Sequence, residues 1–349
     1  MTESKNKKQL ERLLEEVKSV DLPSDLVDKA TREIQRLDLA GQGEWFWRGL
    51  DQLQHWINWI ISLPWNKKSQ DVLDLKFTEE TLNKGHYGLD RIKQRILEFL
   101  SVLILQEKRE QKRVVAPVLC LVGLVGTGKT TMAKSISKAL GREFVRIPFG
   151  GLGDPLYLRG QSKIYPEAEP GQIIKKLRQV KTKNPVILLD EIDRVADDSL
   201  NTIMGVLVEL LDPEQNSHFS DHFIDYPFDL SEAIFVATAN HTRRIATAVL
   251  DRLEVLQMPS YTDSEKVVIG REYLLPKAIE KMGLKQGELV IKEDCWPQVV
   301  RPLGYDAGVR TLNRTIEGIC RKVARRIVEG QKEELIITNE NVKEFLPDW

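Results

Sequence analysis

Apolar positions in the first hundred residues recur at three- and four-residue spacing, the mark of helices with one buried face. One such run covers Asp25 to Leu37, with Pro23 and Asp25 near its start and Ser24 placed to cap it. A second stripe, Leu53, Trp56, Ile57, Ile60 and Ile61, stops at Pro64, which cannot continue a helix. A long helix from about Leu89 to Gln111 follows. The pattern then changes. Pro117–Val122, Phe144–Ile147, Val186–Asp190 and Ala233–Ala239 are short apolar runs separated by helical segments, which predicts an α/β layer with a mostly parallel sheet. Beyond about Pro259 helical spacing returns over Ser264–Glu280, Val309–Glu329 and Asn339–Leu346, with Leu335–Thr338 as a lone strand. The expected organisation is a helical segment over 1–70, a large α/β domain over 71–259 and a small helical domain over 260–349.

Five of the seven tryptophans lie between Trp45 and Trp65. Trp56 shares helical spacing with aliphatic residues and reads as a core anchor. Trp45 and Trp47 fall outside that stripe and are candidates for an interface.

Composition narrows the function classes. The 349 residues are 42% hydrophobic and 30% charged, ordinary for a folded chain. Lys plus Arg (51) balances Asp plus Glu (52), so no overall field draws in nucleic acid or an anionic membrane. The densest basic run, Lys108 to Arg113, reads as the solvated end of a helix. Cys120, Cys295 and Cys320 have neither disulfide nor zinc spacing, and the five histidines give no metal pattern. The polar N-terminus has no signal-peptide core and no apolar run is long enough to span a bilayer, so a reducing, cytoplasmic setting is expected.

The chemistry sits in three places. Gly123 to Thr130 reads Gly-Leu-Val-Gly-Thr-Gly-Lys-Thr, a G-x-x-x-x-G-K-[ST] loop between an apolar strand and a helix. Gly123, Gly126 and Gly128 let the backbone N–H groups, including that of Thr127, curl around phosphates. Lys129 neutralises the outer phosphates, Thr130 can ligate Mg²⁺, and Thr131 opens the helix beside it. Val186–Leu189 then leads into Asp190 and Glu191 at the carboxyl end of a buried strand. Adjacent acids on an extended chain face opposite ways, so Asp190 can hold Mg²⁺ through water while Glu191 polarises the attacking water. Phe235–Asn240 ends a further apolar strand in an amide able to bond the lytic water or the γ-phosphate. Together they predict binding and hydrolysis of ATP to ADP with Mg²⁺.

From about Leu22 to Phe345 the chain resembles the AAA+ module of Lon proteases. The resemblance rests on Ser62–Trp65, His86–Leu89, Ala139–Arg142, Lys183–Pro185, Leu211–Asn216, Tyr226–Ser231 and Gly308–Arg310. It implies an AAA+ P-loop NTPase fold, with a parallel sheet preceded by a helical segment and followed by a small helical domain. His86 and Tyr87 then resemble the segment beside the adenine, Arg252 an arginine finger offered to a neighbour's ATP, and Arg310 the second sensor. A finger in trans implies a homohexameric ring. Phe149–Gly171 resembles the first pore loop, with Tyr165 as the aromatic residue that grips a polypeptide client. Here the chain departs from the family, with Pro166-Glu-Ala-Glu-Pro170 where a small, flexible stretch is usual, and with Leu124-Val125 where two prolines are common.

The Ser–Lys peptidase domain of Lon proteases has no counterpart in this sequence, so no peptidase activity is expected of the chain alone. The leading reading is a peptidase-free Lon-like ATPase that remodels, unfolds or regulates a protein partner, with any peptidase or effector on a separate polypeptide. One alternative is the ATPase portion of a Lon protease. Another is an ATP-dependent assembly switch that recruits an effector through the tryptophan-rich segment. Near-neutral charge and the lack of a nucleic-acid module disfavour a nucleic-acid motor.

Overall fold

The computed structural model holds a five-stranded sheet with strand order β2-β3-β6-β1-β7. The structure describes residues 2–39, 44–109, 117–301, 306–330 and 334–347. The strands are β1 (Val118–Val122), β2 (Phe144–Pro148), β3 (Val186–Asp190), β6 (Ile234–Ala239) and β7 (Leu253–Gln257). β1, β3 and β6 are buried along their whole length, which is why they read as unbroken apolar runs. β2 lies at one end of the sheet and alternates, with Val145 and Ile147 buried and Arg146 and Pro148 exposed. β2 and β3 are parallel, Phe144 opposite Val186 through Pro148 opposite Asp190, and β3 and β6 are parallel as well. Each predicted strand of the layer is present. β7 is a strand that periodicity missed, because this outer strand mixes Glu254 and Gln257 with its apolar residues.

Two smaller sheets complete the set among the described residues. β4 (Phe219–Ser220) and β5 (Pro227–Phe228) pair antiparallel, and β8 (Leu289–Ile291) pairs in parallel with β9 (Leu335–Ile337). The strand read at Leu335–Thr338 is therefore not alone. The stretch read as one helix over Ser264–Glu280 is broken by a π-helical turn, Gly270–Leu274, between helices Asp263–Ile269 and Leu275–Lys281. Pro276 has no N–H to continue the regular ladder, and Gly270 meets the Trp296 ring so closely that a Cβ would lie 2.5 Å from it. The helix read over Asn339–Leu346 is shorter, Val342–Phe345, because the Asn341 side chain accepts from Thr338 N–H and makes a turn there.

The early helices run Thr2–Ser19, Ser24–Leu39, Glu44–Ser62 and Leu75–Gly85. The helix Asp90–Lys108 occupies the stretch predicted to reach Gln111; residues 110–113, with the end of the basic run, lie outside the described residues. Trp56 is buried, as the stripe required, and so is Trp65; their indole N–H groups donate to Ile224 O at 3.0 Å and Ile60 O at 2.8 Å. Trp45 is 85% exposed and Trp47 45% exposed.

The chain divides into two units. The first comprises residues 1–73, 99–120 and 136–255; the second comprises 74–98, 121–135 and 256–349. The second has its own core, in which Trp296, Leu312, Ile316, Ile319, Val323 and Phe345 are buried together. Among the described residues no helix is long and apolar enough to cross a membrane.

Candidate nucleotide site

The phosphate loop belongs to the second unit. Gly126 (φ +84°) and Gly128 (φ +96°) adopt left-handed backbone that a side chain would disfavour, which is why this turn carries glycines. Thr127 is buried, and its hydroxyl donates to Leu124 O at 2.9 Å. Lys129 Nζ donates to Gly123 O at 2.5 Å and Leu124 O at 3.0 Å, which places the ammonium inside the curl of the loop. The helix Lys129–Leu140 starts here, with Thr130 half-buried in its first turn and the Thr131 hydroxyl on Gly128 O at 2.7 Å. A ring of backbone donors, one lysine and a helix N-terminus forms a cradle for an anion.

The other predicted members of this unit lie around the loop. A cavity of about 300 Å³ is lined by His86, Tyr87, Gly128, Ser135, Tyr261 and Tyr273, among others. His86 is pulled down to about 4 by burial and by the nearby Lys93 charge, so it is neutral at pH 7; its Nε2 lies 3.0 Å from Ser135 Oγ. Lys93, itself lowered by burial, donates to His86 O and Asn83 Oδ1 at 2.8 Å each and fixes this turn. Tyr87 and Tyr273 meet edge to face at 6.5 Å. The segment before the helix Arg310–Val328 touches the phosphate loop directly: Val309 N–H donates to Gly126 O at 3.0 Å, and a Cβ on Gly126 would lie 3.1 Å from Arg310 Cβ. Tyr261 OH donates to Thr127 O at 3.2 Å, and burial pushes this phenol up to about 12.

The acids belong to the first unit. Asp190 ends β3 with its carboxylate almost fully buried. Thr238 of β6 donates its hydroxyl to Asp190 Oδ1 at 2.5 Å and accepts Glu191 N–H at 2.9 Å. Arg146 of β2 donates Nε–H to Asp190 Oδ2 at 2.6 Å, and its Nη2 forms an ion pair with the same oxygen at 2.6 Å. Glu191 leaves the strand at φ +59°, uncommon for a residue with a side chain. Asn240 follows β6, and its N–H donates to the buried Asp193 carboxylate at 3.1 Å. These groups can hold a hydrated cation and orient a water. A carboxylate and a hydroxyl, as Asp190 and Thr130 offer, are the hard oxygen donors that Mg²⁺ takes.

Two further predicted residues belong to this unit. Arg252 donates to Asp212 Oδ2 and Ala248 O, at 2.7 Å each, and this bond lowers the Asp212 carboxyl below its usual value. Tyr165 is 66% exposed on its loop. The loop ends are held together: Gln161 N–H donates to Glu169 O, and the buried Asp221 accepts Gly171 N–H at 2.7 Å. Glu169 also meets Lys175 at 3.3 Å and His55 at 3.4 Å, so its charge is partly compensated.

Sequence reasoning did not find Thr238, Arg146, Asp193, Asp212 or Tyr261. The signals were faint: Thr238 lies two residues before Asn240 on a strand, and Arg146 is the one charged residue of β2.

A family model for the ATPase family associated with various cellular activities (AAA) matches residues 119–261, and one for the Lon protease AAA+ ATPase lid domain matches 280–336. The chain is 41% identical over 343 residues to a Lon protease of Lawsonia intracellularis, covering 97% of this chain and 40% of that protein. It is 40% identical over 340 residues to a Lon protease of Bacillus thuringiensis (97% and 42%) and over 339 residues to Lon protease 2 of Herpetosiphon aurantiacus (97% and 41%). The chain thus spans about two fifths of the length of these relatives. Parallel sheet, phosphate loop and paired acids define an AAA+ P-loop ATPase, which binds ATP. More narrowly, the chain carries the AAA+ ATPase module of Lon proteases. Similarity along nearly the whole chain also corrects the order of the readings above: the ATPase portion of a Lon protease fits better than a peptidase-free remodeller.

Proposed function

We propose that this chain is the ATP-driven motor of a Lon-type, ATP-dependent protease, drawing a polypeptide client toward a peptidase. The observation that supports this most is that the chain carries both a phosphate cradle and, at the end of a buried strand, two adjacent carboxylates. In this reading Gly123, Gly126, Thr127, Gly128 and Thr131 enclose the phosphates and Lys129 neutralises the outer ones, while His86 and Tyr87 flank the adenine. Magnesium, when bound, neutralises charge on the β- and γ-phosphates, held by Thr130 and, through water, by Asp190. Glu191 takes the proton of the attacking water, which Asn240 orients. Water attacks the γ-phosphorus, the bond to the β–γ bridging oxygen breaks, and ADP and phosphate leave.

Arg252 serves as a finger in trans and Arg310 as a sensor of the γ-phosphate, within a homohexameric ring. Both are arginines because a planar cation spreads over several phosphate oxygens. Tyr165 grips the client. Residues 1–70 form the helical front segment, 71–259 the large nucleotide-binding domain and 260–349 the small one, and the assembly works in the cytoplasm.

The test is a pair of variants measured for phosphate release and for binding of a fluorescent ATP analogue. Glu191→Gln should abolish release while the analogue stays bound and hexamers persist. Lys129→Ala should weaken binding itself. Undiminished phosphate release by Glu191→Gln would remove the assignment of the general base.

A further inference from the structure

Asp190 is engaged more heavily than a metal-holding carboxylate should be. Arg146 donates Nε–H to Oδ2 at 2.6 Å with Nη2 in ionic contact at 2.6 Å with the same oxygen, and Thr238 donates to Oδ1 at 2.5 Å. The guanidinium thus crowds Oδ2 with one bond and one close ionic contact, and Thr238 occupies one lone pair of Oδ1. The water shell of Mg²⁺ needs an acceptor on the same carboxylate. The partners also differ in exposure. The Asp190 side chain is 6% exposed, whereas that of Arg146 is 53% exposed on an outer strand. A buried carboxylate must keep a cationic or hydrogen-bonding partner, while a half-exposed guanidinium can exchange its partner for water at little cost.

We propose that Arg146 is a displaceable counter-ion of Asp190: the guanidinium and hydrated Mg²⁺ compete for Oδ2, and the magnesium nucleotide engages fully only as Arg146 withdraws. The inference rests on the reading of Asp190 as the carboxylate that holds Mg²⁺. Arginine suits the task because it stays cationic at every physiological pH, so the lock opens by competition and never by loss of a proton. Its position has a further consequence. β2 runs straight into the loop that carries Tyr165, and Phe149 N–H, one residue past the strand, donates to Asp190 O at 2.8 Å. The exchange at Asp190 is therefore made on the element that leads into the client-facing loop.

An arginine that merely oriented Asp190 for the metal would act with the opposite sign, which makes the proposal testable by binding alone. A fluorescent ADP analogue is titrated at free Mg²⁺ levels from chelator upward, and the Mg²⁺ level giving half of the affinity gain is recorded. Removing one charge-assisted bond and the ionic contact of a half-exposed partner should lower that midpoint about tenfold in Arg146→Ala. The affinity without Mg²⁺ should not change. Arg146→Lys keeps the charge but not the fork, and its midpoint should fall about threefold. A midpoint that is unchanged or raised in Arg146→Ala overturns the proposal. If that variant does not fold, Arg146→Lys decides: a threefold fall supports the lock, and no fall or a rise overturns it. A parent protein whose analogue binding ignores Mg²⁺ would instead sink the metal-holding role of Asp190.

Discussion

Gly308 offers the sharpest steric test of how the second unit closes on its nucleotide. A Cβ there would lie 2.5 Å from Val125 O and from Gly126 C, and 2.7 Å from Gly126 Cα. All three atoms are backbone, so no flexible side chain can swing aside, and the two segments must separate by about 1 Å to restore ordinary contact. That separation stretches the Val309 N–H bond to Gly126 O, now 3.0 Å. Losing one such bond costs about 1 kcal/mol and overpacking a further ~1–3 kcal/mol, or ~2–4 kcal/mol together. Relaxation absorbs part of this. If half falls on the loop geometry that binds phosphate, Gly308→Ala should weaken ADP about fivefold to thirtyfold, at ~1.4 kcal/mol per tenfold. The assay is titration with a fluorescent ADP analogue, with thermal unfolding followed in parallel. Gly205→Ala is the control: it lies within the helix Leu200–Leu211, has nothing within 4 Å of the added Cβ, and should leave ADP affinity unchanged. It should also stabilise the helix by ~0.5–1 kcal/mol. Unchanged ADP affinity in Gly308→Ala would refute the idea that this backbone apposition shapes the phosphate loop.

Two further expectations concern Arg252 and His86. Arg252→Ala should lower steady-state phosphate release by about a hundredfold or more while ADP affinity changes less than about threefold, as befits a transition-state group; Asp212→Asn, which loosens the same arginine, should fall between. Normal turnover in Arg252→Ala would eliminate the finger. His86 gives a pH dependence with a definite sign. Its native value of about 4 lies below the unfolded 6.5, so as pH falls through this window the unfolded chain takes up a proton first. The stability it protects is complete above about 6.5 and declines toward pH 4, by at most ~3 kcal/mol. Urea midpoints at pH 7 and pH 4.5 should therefore lie closer together in His86→Gln than in the parent; an equal gap in both would count against a buried, neutral His86.

What could be read from the sequence and what could not divide along one physical line. Local requirements were legible. A loop that needs backbone at φ +84° and +96° must place glycines there, and a strand buried on both faces must be apolar throughout, so β1, β3 and β6 and the phosphate loop declared themselves. Partners fixed by strand register were not legible. Thr238 and Asp190 are 48 residues apart and meet only because β6 lies beside β3, Ile187 opposite Phe235 and Leu189 opposite Ala237. Asn240 stood out just past the strand end, yet Thr238, two positions earlier and within the strand, is the residue whose hydroxyl binds Asp190. The same end of β6 thus serves two acids: the Thr238 hydroxyl holds Asp190, and the Asn240 N–H holds the buried Asp193. A change at Thr238 would loosen Asp190 and the Glu191 backbone at once, because one hydroxyl donates to the first and accepts from the second. The carboxylate pair is therefore positioned less by its own strand than by the strand beside it, which is information that only the register carries.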